Sequence, residues 1–323
     1  MRPTPAITRA TRRRSSSRMP MKPLIWTLVG LIVFLIVSSI GISTYVGWKL
    51  THTTPTALDD SPARLGMTFE PIQFQSREDH LNLKGWYLPG KSLSSEDGTP
   101  VTRPNIIMAH GYDNNRLQKK TEALNLAKEL VDRGYNVLMF DFRHSGESEG
   151  TLTSVGYFEK YDLLGAIDWM KAKHPGKIGL LGFSMGASTS LMAAADEPSV
   201  AGVVADSPFN HLGHYLQENL PVWSHLPNFP FTPLIMTILP RMTGIDPNGV
   251  DALSAVDRIY PRPILFIHSS EDPSIPYQNS ESMWEKHKDK FDFWMPNGEG
   301  HAKNYPNHKQ EYVEKVTSFF EKL

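Results

Sequence analysis

From Leu24 to about Gly47 the chain is apolar and carries no charge (LIWTLVGLIVFLIVSSIGISTYVG), a run as long as the roughly 20 residues a helix needs to cross bilayer hydrocarbon. Trp26 lies near one end and Tyr45 and Trp48 at the other, where amphipathic rings favour the membrane interface. The pattern then turns polar and turn-forming up to about Gly66 (THTTPTALDDSPARLG), which reads as a linker, residues 48–66, leading away from the bilayer. After it come two strand-like segments, TFEPIQFQS and NLKGWYLPG, an antiparallel start. Six short apolar runs follow: NIIMAH, NVLMFD, IGLLGF, VAGVVAD, PILFIHS and FDFWMP. Segments of helical period separate them, at about 116–133, 155–173, 185–195, 277–289 and 307–321. Continuous apolar strands alternating with helices predict an α/β fold, a mostly parallel eight-stranded sheet covered on both faces.

The connection between Asp206 and Pro263 is far longer than a crossover needs. Its prolines (Pro221, Pro227, Pro230, Pro233, Pro240) stand among Trp223, Phe229, Phe231, Leu234, Ile235, Met236 and Ile238. We read residues 209–260 as a small helical cap inserted into a domain of residues 67–323. Its apolar side chains either line a pocket or pack on one another.

Charge changes the picture only at the N-terminus. Over the 323 residues, 33 Lys and Arg nearly balance 34 Asp and Glu, so nothing in the overall charge supports nucleic-acid binding. Before Leu24, however, stand Arg2, Arg9, Arg12, Arg13, Arg14, Arg18 and Lys22 with no acidic residue. A basic tail (residues 1–23) before an apolar span (residues 24–47) predicts a signal-anchor, tail in the cytoplasm and everything after about Thr51 outside the cell membrane. A cleaved signal peptide would have a shorter apolar core, about 7–15 residues, ending in small residues of A-x-A type. A buried core helix fits the flanking polar segments poorly. The chain has no cysteine, which removes disulfides and thiol nucleophiles from consideration.

The chemistry is concentrated in Gly182-Phe183-Ser184-Met185-Gly186, directly after the strand IGLLGF and before the helix-forming run ASTSLMAAA. A G-x-S-x-G sequence in that context places a serine on a sharp strand-to-helix turn, and the backbone N–H after it, here that of Met185, can serve an oxyanion. With these features the chain from about Phe69 to Leu323 resembles the α/β-hydrolase superfamily. Within it the sequence is similar to bacterial membrane-anchored cell-surface hydrolases of the lysophospholipase, carboxylesterase and acyl-aminopeptidase branches. The resemblance implies a triad in the order serine, acid, histidine, with Ser184 as nucleophile. It implies Asp272 as the acid, in HSSEDPSIP after the strand PILFIHS; Glu271 beside it and Asp206, after the preceding strand, are the alternatives. His301 in NGEGHA follows the last strand, where the family places its base; His308 is the nearest competitor among 12 histidines. The second oxyanion donor implied is the backbone N–H of Tyr112, in HGYDNN, a departure from the HGGG of many lipases. Asp141-Phe142-Arg143-His144-Ser145-Gly146-Glu147-Ser148 resembles the family's D-x-R-x-x-G-x-S loop, read here as a hydrogen-bonded support more than a wall of the site.

These residues point to acyl transfer from an ester, including a small-molecule or lipid ester, through an acyl-serine. Peptide or amide hydrolysis and thioester cleavage use the same groups. A non-catalytic binding protein on the same fold is the reading from a different class. No phosphate-loop, dinucleotide or H-E-x-x-H zinc pattern is present, and no cofactor or metal is implied.

Overall fold

The computed structural model describes residues 21–95 and 97–323; most of the basic tail lies outside them. A long helix α1 (Met21–Thr51) precedes the domain. The sheet strands are β1 (Glu70–Gln75), β2 (Asn82–Leu88), β3 (Asn105–Ala109), β4 (Asn136–Phe140), β5 (Ile178–Phe183), β6 (Val200–Asp206), β7 (Ile264–Ile267) and β8 (Phe291–Trp294). Interleaved with them are α2 (Ala123–Asp132), α3 (Glu159–Lys173), α4 (Met185–Asp196), α5 (Leu212–Ser224), α6 (Asn228–Thr243), α7 (Ala252–Ile259), α8 (Gln278–Trp284), α9 (Asn304–Asn307) and α10 (Lys309–Glu321).

The eight strands form one sheet in the order β1-β2-β4-β3-β5-β6-β7-β8. β2 pairs antiparallel with β1 and β4, and every later pairing is parallel. Every residue of β3, β5 and β7 is buried, as expected of parallel strands covered on both faces. Leu163 and Ile167 of α3, Leu191 of α4 and Val256 of α7 cover one face. Leu126 and Leu130 of α2 with Val316 and Phe320 of α10 cover the other.

Three departures from the sequence reading have physical causes. The helix expected from about 116 begins at Ala123, because Asn115 and Arg116 are held in a loop: the Arg116 N–H donates to Asp141 (2.7 Å) and the Leu117 N–H to Asn115 (3.0 Å). The helix expected from 155 begins at Glu159, whose buried carboxylate accepts from the N–H groups of Ser154 and Gly156. The cap expected over 209–260 is shorter. α7 lies within that range but packs on α4 against the sheet, so the inserted helices are α5 and α6.

The N-terminal segment also differs. The helix does not end near Gly47 but continues to Thr51. The expected linker does not lead away; it lies on the domain, its carbonyls accepting from the domain's side chains. Asn115 donates to Thr56 O at 3.0 Å, and His144 Nε2 donates to Thr53 O at 2.8 Å.

Candidate active site

Ser184 sits between β5 and α4 with φ 54° and ψ −120°. Its N–H donates to Asp206 O (2.8 Å), and its carbonyl accepts from Ala187 (2.9 Å) and Ser188 (3.1 Å). The flanking glycines are required by close approach. A Cβ on Gly182 would stand 2.3 Å from Gly186 O, and one on Gly186 would stand 2.2 Å from Ala109 O. Only glycine lets α4 start this close to β3.

Asp272 comes from the loop after β7 and His301 from the loop after β8, and the structure brings both to Ser184. His301 Nδ1 donates to Asp272 Oδ2 at 2.7 Å, and the Ser184 hydroxyl donates to His301 Nε2 at 2.6 Å. Asp272 can only accept, so the proton sits on Nδ1 and leaves Nε2 free to take one. The other carboxylate oxygen accepts from the N–H groups of Ser274 (2.8 Å) and Ile275 (3.0 Å). Burial favours a protonated Asp272, but the facing N–H groups of His268 and His301 and that of Ile275 outweigh it and hold the carboxyl well below the usual carboxylate range. The side chain of Asp272 is fully buried and that of His301 is 24% exposed, so the imidazole is open to the cavity while the carboxylate it bonds is shielded from water.

The alternatives point elsewhere. Glu271 is exposed. Asp206 accepts from Asn304 Nδ2 (2.7 Å), Tyr312 Oη (3.0 Å) and Ser207 Oγ (2.9 Å), and burial pushes its carboxyl up. Through Asn304 it ties down the segment that follows His301. His308 Nε2 donates to Asn297 O, away from the elbow.

Tyr112 and Met185 both border the cavity beside Ser184. Among the described residues no acceptor takes the backbone N–H of either, so two donors stand open near the serine. The loop carrying Tyr112 is fixed by residues that sequence reasoning missed. His110 Nδ1 donates to Gly111 O (2.8 Å) while its Nε2 accepts from the Phe142 N–H (3.0 Å); both ring positions are thus used, and burial lowers the pKa of the ring. The Gly111 N–H donates to Gln118 Oε1. His268 was missed as well: fully buried, it donates from Nε2 to Ile275 O (2.9 Å) and lies 3.5 Å from Asp272. Nothing in their spacing sets these residues apart. In the D-x-R-x-x-G-x-S loop, Asp141 accepts from Arg116 and the Glu147 N–H, and Arg143 pairs with the buried Asp162 at 2.7 Å; both are supports.

Above Ser184 and His301 opens a cavity of about 160 Å³, a size at which apolar cavities take up small hydrocarbons. Phe209, Leu216, Leu220, Ile235 and Leu239 are among its walls, and none of the described residues that line it is acidic. The sheet order and the serine elbow define a hydrolase of the α/β-hydrolase superfamily. Residues 87–299 match the family model described as X-Pro dipeptidyl-peptidase (S15 family), and the chain belongs to that family.

The chain is 32% identical over 243 residues to the uncharacterized protein YqkD of Bacillus subtilis, covering 74% of this chain and 77% of that one. It is 23% identical to a lysophosphatidylserine lipase of Macaca fascicularis over 297 residues, 85% of this chain and 72% of the other. Among solved structures it is similar to an esterase of Pyrococcus furiosus (TM-score 0.69, 23% identity, 85% of this chain and 98% of that one). An acylaminoacyl peptidase of Pyrococcus horikoshii also aligns, with TM-score 0.57 and 18% identity over 80% of this chain and 42% of that one.

Proposed function

We propose that the protein is a serine esterase that cleaves carboxylic esters of apolar acyl groups through an acyl-enzyme on Ser184. The observation that carries this reading is the 2.6 Å hydrogen bond from Ser184 Oγ to His301 Nε2 at the floor of an apolar cavity. His301 takes the hydroxyl proton as Ser184 Oγ attacks the ester carbonyl, and Asp272 holds the imidazolium that forms. The oxyanion develops between the N–H groups of Met185 and Tyr112. His301 returns the proton to the departing alcohol, then activates the water that releases the acid.

The peptidase reading draws on the family description. A peptidase acting at a free N-terminus must accommodate the substrate's ammonium, and a buried cation needs a carboxylate partner. Among the described residues the cavity lining supplies no carboxylate, which favours a neutral acyl group. The resemblance to a lysophosphatidylserine lipase supports lipid esters as the natural class.

We further read α1 as a membrane anchor, with the basic tail in the cytoplasm and the hydrolase domain outside. An 18-residue stretch of the helix has mean hydropathy 2.5, and Leu24, Trp26, Phe34 and Val37 are at least half exposed.

The test is hydrolysis of p-nitrophenyl esters of graded chain length by the full chain in detergent, beside Ser184→Ala. The substitution is expected to lower kcat by about a thousandfold or more and to end labelling by a fluorophosphonate. Turnover that survives in Ser184→Ala, or a folded wild-type protein inert to every ester and to the fluorophosphonate, would overturn the reading.

A further inference from the structure

The C-terminal end of α1 reaches the site. A helix needs about 20 residues to cross bilayer hydrocarbon, and α1 has 31; its last turns belong to the hydrolase domain. Leu50 and Thr51 line the same cavity as Ser184 and His301. They are held there through their carbonyls: Tyr112 Oη donates to Leu50 O (2.7 Å) and the Thr153 N–H to Thr51 O (2.8 Å). The helix α6 packs along this end of α1. Ser43 and Gly47, four residues apart and so on one face, are buried there, and Gly47 faces Leu239. Small residues at this spacing let two helices approach closely. From the same helix, Ile235 and Leu239 enter the cavity wall. The contact therefore joins anchor, cap and cavity in one packed unit.

Building on the esterase reading, we propose that the last turn of α1 is a wall of the acyl pocket, and that the docked anchor sets which acyl chains the enzyme accepts. The ligand class that fits is an ester of an apolar acyl chain whose first several carbons fill the cavity shared by Ser184 and Leu50. Tyr112 links the two ends of this device. Tyr112 lines the cavity that holds Ser184 while its hydroxyl holds the end of α1, so movement of the anchor is felt at the loop that carries it.

The test uses the full chain in phosphatidylcholine nanodiscs, with p-nitrophenyl esters from acetate to palmitate, for wild type, Leu50→Trp and Leu50→Ala. Each methylene packed against an apolar wall is worth roughly fourfold in binding. Leu50→Trp fills the wall and is expected to lower the hexanoate-to-acetate ratio of kcat/KM by about tenfold or more, moving the optimum to shorter chains. Leu50→Ala moves the optimum the other way, and decides the matter if the tryptophan variant does not fold. Fluorophosphonate labelling of Ser184 reports the reactive serine independently of chain length. Two folded, labelled variants with the wild-type chain-length profile would overturn the wall and leave the esterase reading standing. A wild-type protein that neither labels nor cleaves any ester would remove both.

Discussion

At Ser184 the backbone takes a conformation, φ 54° and ψ −120°, that glycine enters freely and other residues hold only under constraint. The constraint is visible in the hydrogen bonds that fix the Ser184 N–H on Asp206 and its carbonyl on Ala187 and Ser188. Such strain is worth roughly 1–3 kcal/mol, and glycine returns part of it through its greater freedom in the unfolded chain. Ser184→Gly is therefore expected to be more stable than Ser184→Ala by about 1 kcal/mol, or about 2–4 °C in Tm, while both variants lose ester hydrolysis. Thermal unfolding of the pair in the same detergent decides it; equal Tm values would mean that the elbow stores no strain. The serine's place on the turn was legible in the sequence because its flanking glycines stand between an apolar strand and a helix-forming run. Gln118, His110 and His268 were not, because each acts by holding a backbone group or another side chain across a distance that only the folded chain defines.

The same elbow depends on how closely α4 approaches β3. A Cβ on Gly186 would lie 2.2 Å from Ala109 O and 2.5 Å from His110 O, both backbone atoms of a strand end that cannot give way. Gly186→Ala is expected to cost about 3 kcal/mol and, on the proposed mechanism, to reduce hydrolysis further by displacing the Met185 N–H relative to that of Tyr112. Urea unfolding beside initial rates checks both; a loss of stability below about 0.5 kcal/mol would mean that α4 shifts without cost. Elements with one dominant pattern were readable. The strand runs from NIIMAH to FDFWMP read correctly because they are too short for helices and are separated by segments of helical period. Helix starts were not readable where a polar side chain does two jobs. Asp141 draws the Arg116 N–H out of a helix, and Glu159 holds the turn ahead of its own helix through the Ser154 and Gly156 N–H groups. The cap's extent was misjudged for a similar reason. The apolar face of α7 looks the same in sequence whether it meets another cap helix or α4.

Across the molecule, charged side chains tie the layers at positions the apolar pattern does not mark. Arg77, after β1, reaches Asp168 of α3 (2.7 Å) and Glu197 at the end of α4 (2.8 Å), and Lys171 also approaches Glu197. Partial burial pushes the Glu197 carboxyl up, but hydrogen bonds from Arg77, Ser199 and Lys171 outweigh it and hold it down at about 2. The sign follows from linkage. A carboxyl lowered in the folded state adds stability that is present above its ordinary value of 4.5 and is lost as pH falls from there through about 2. Screening limits an interaction at this depth to about 1 kcal/mol. Glu197→Gln should thus lower Tm at pH 7 by about 2–4 °C, and the gap from wild type should close as the pH falls toward 2. The measurement is thermal unfolding of both proteins across that range. A gap of the same size at pH 7 and in strong acid would show that Glu197 contributes through packing and neutral hydrogen bonds and not through its charge, since protonation alone makes the wild-type side chain resemble the glutamine.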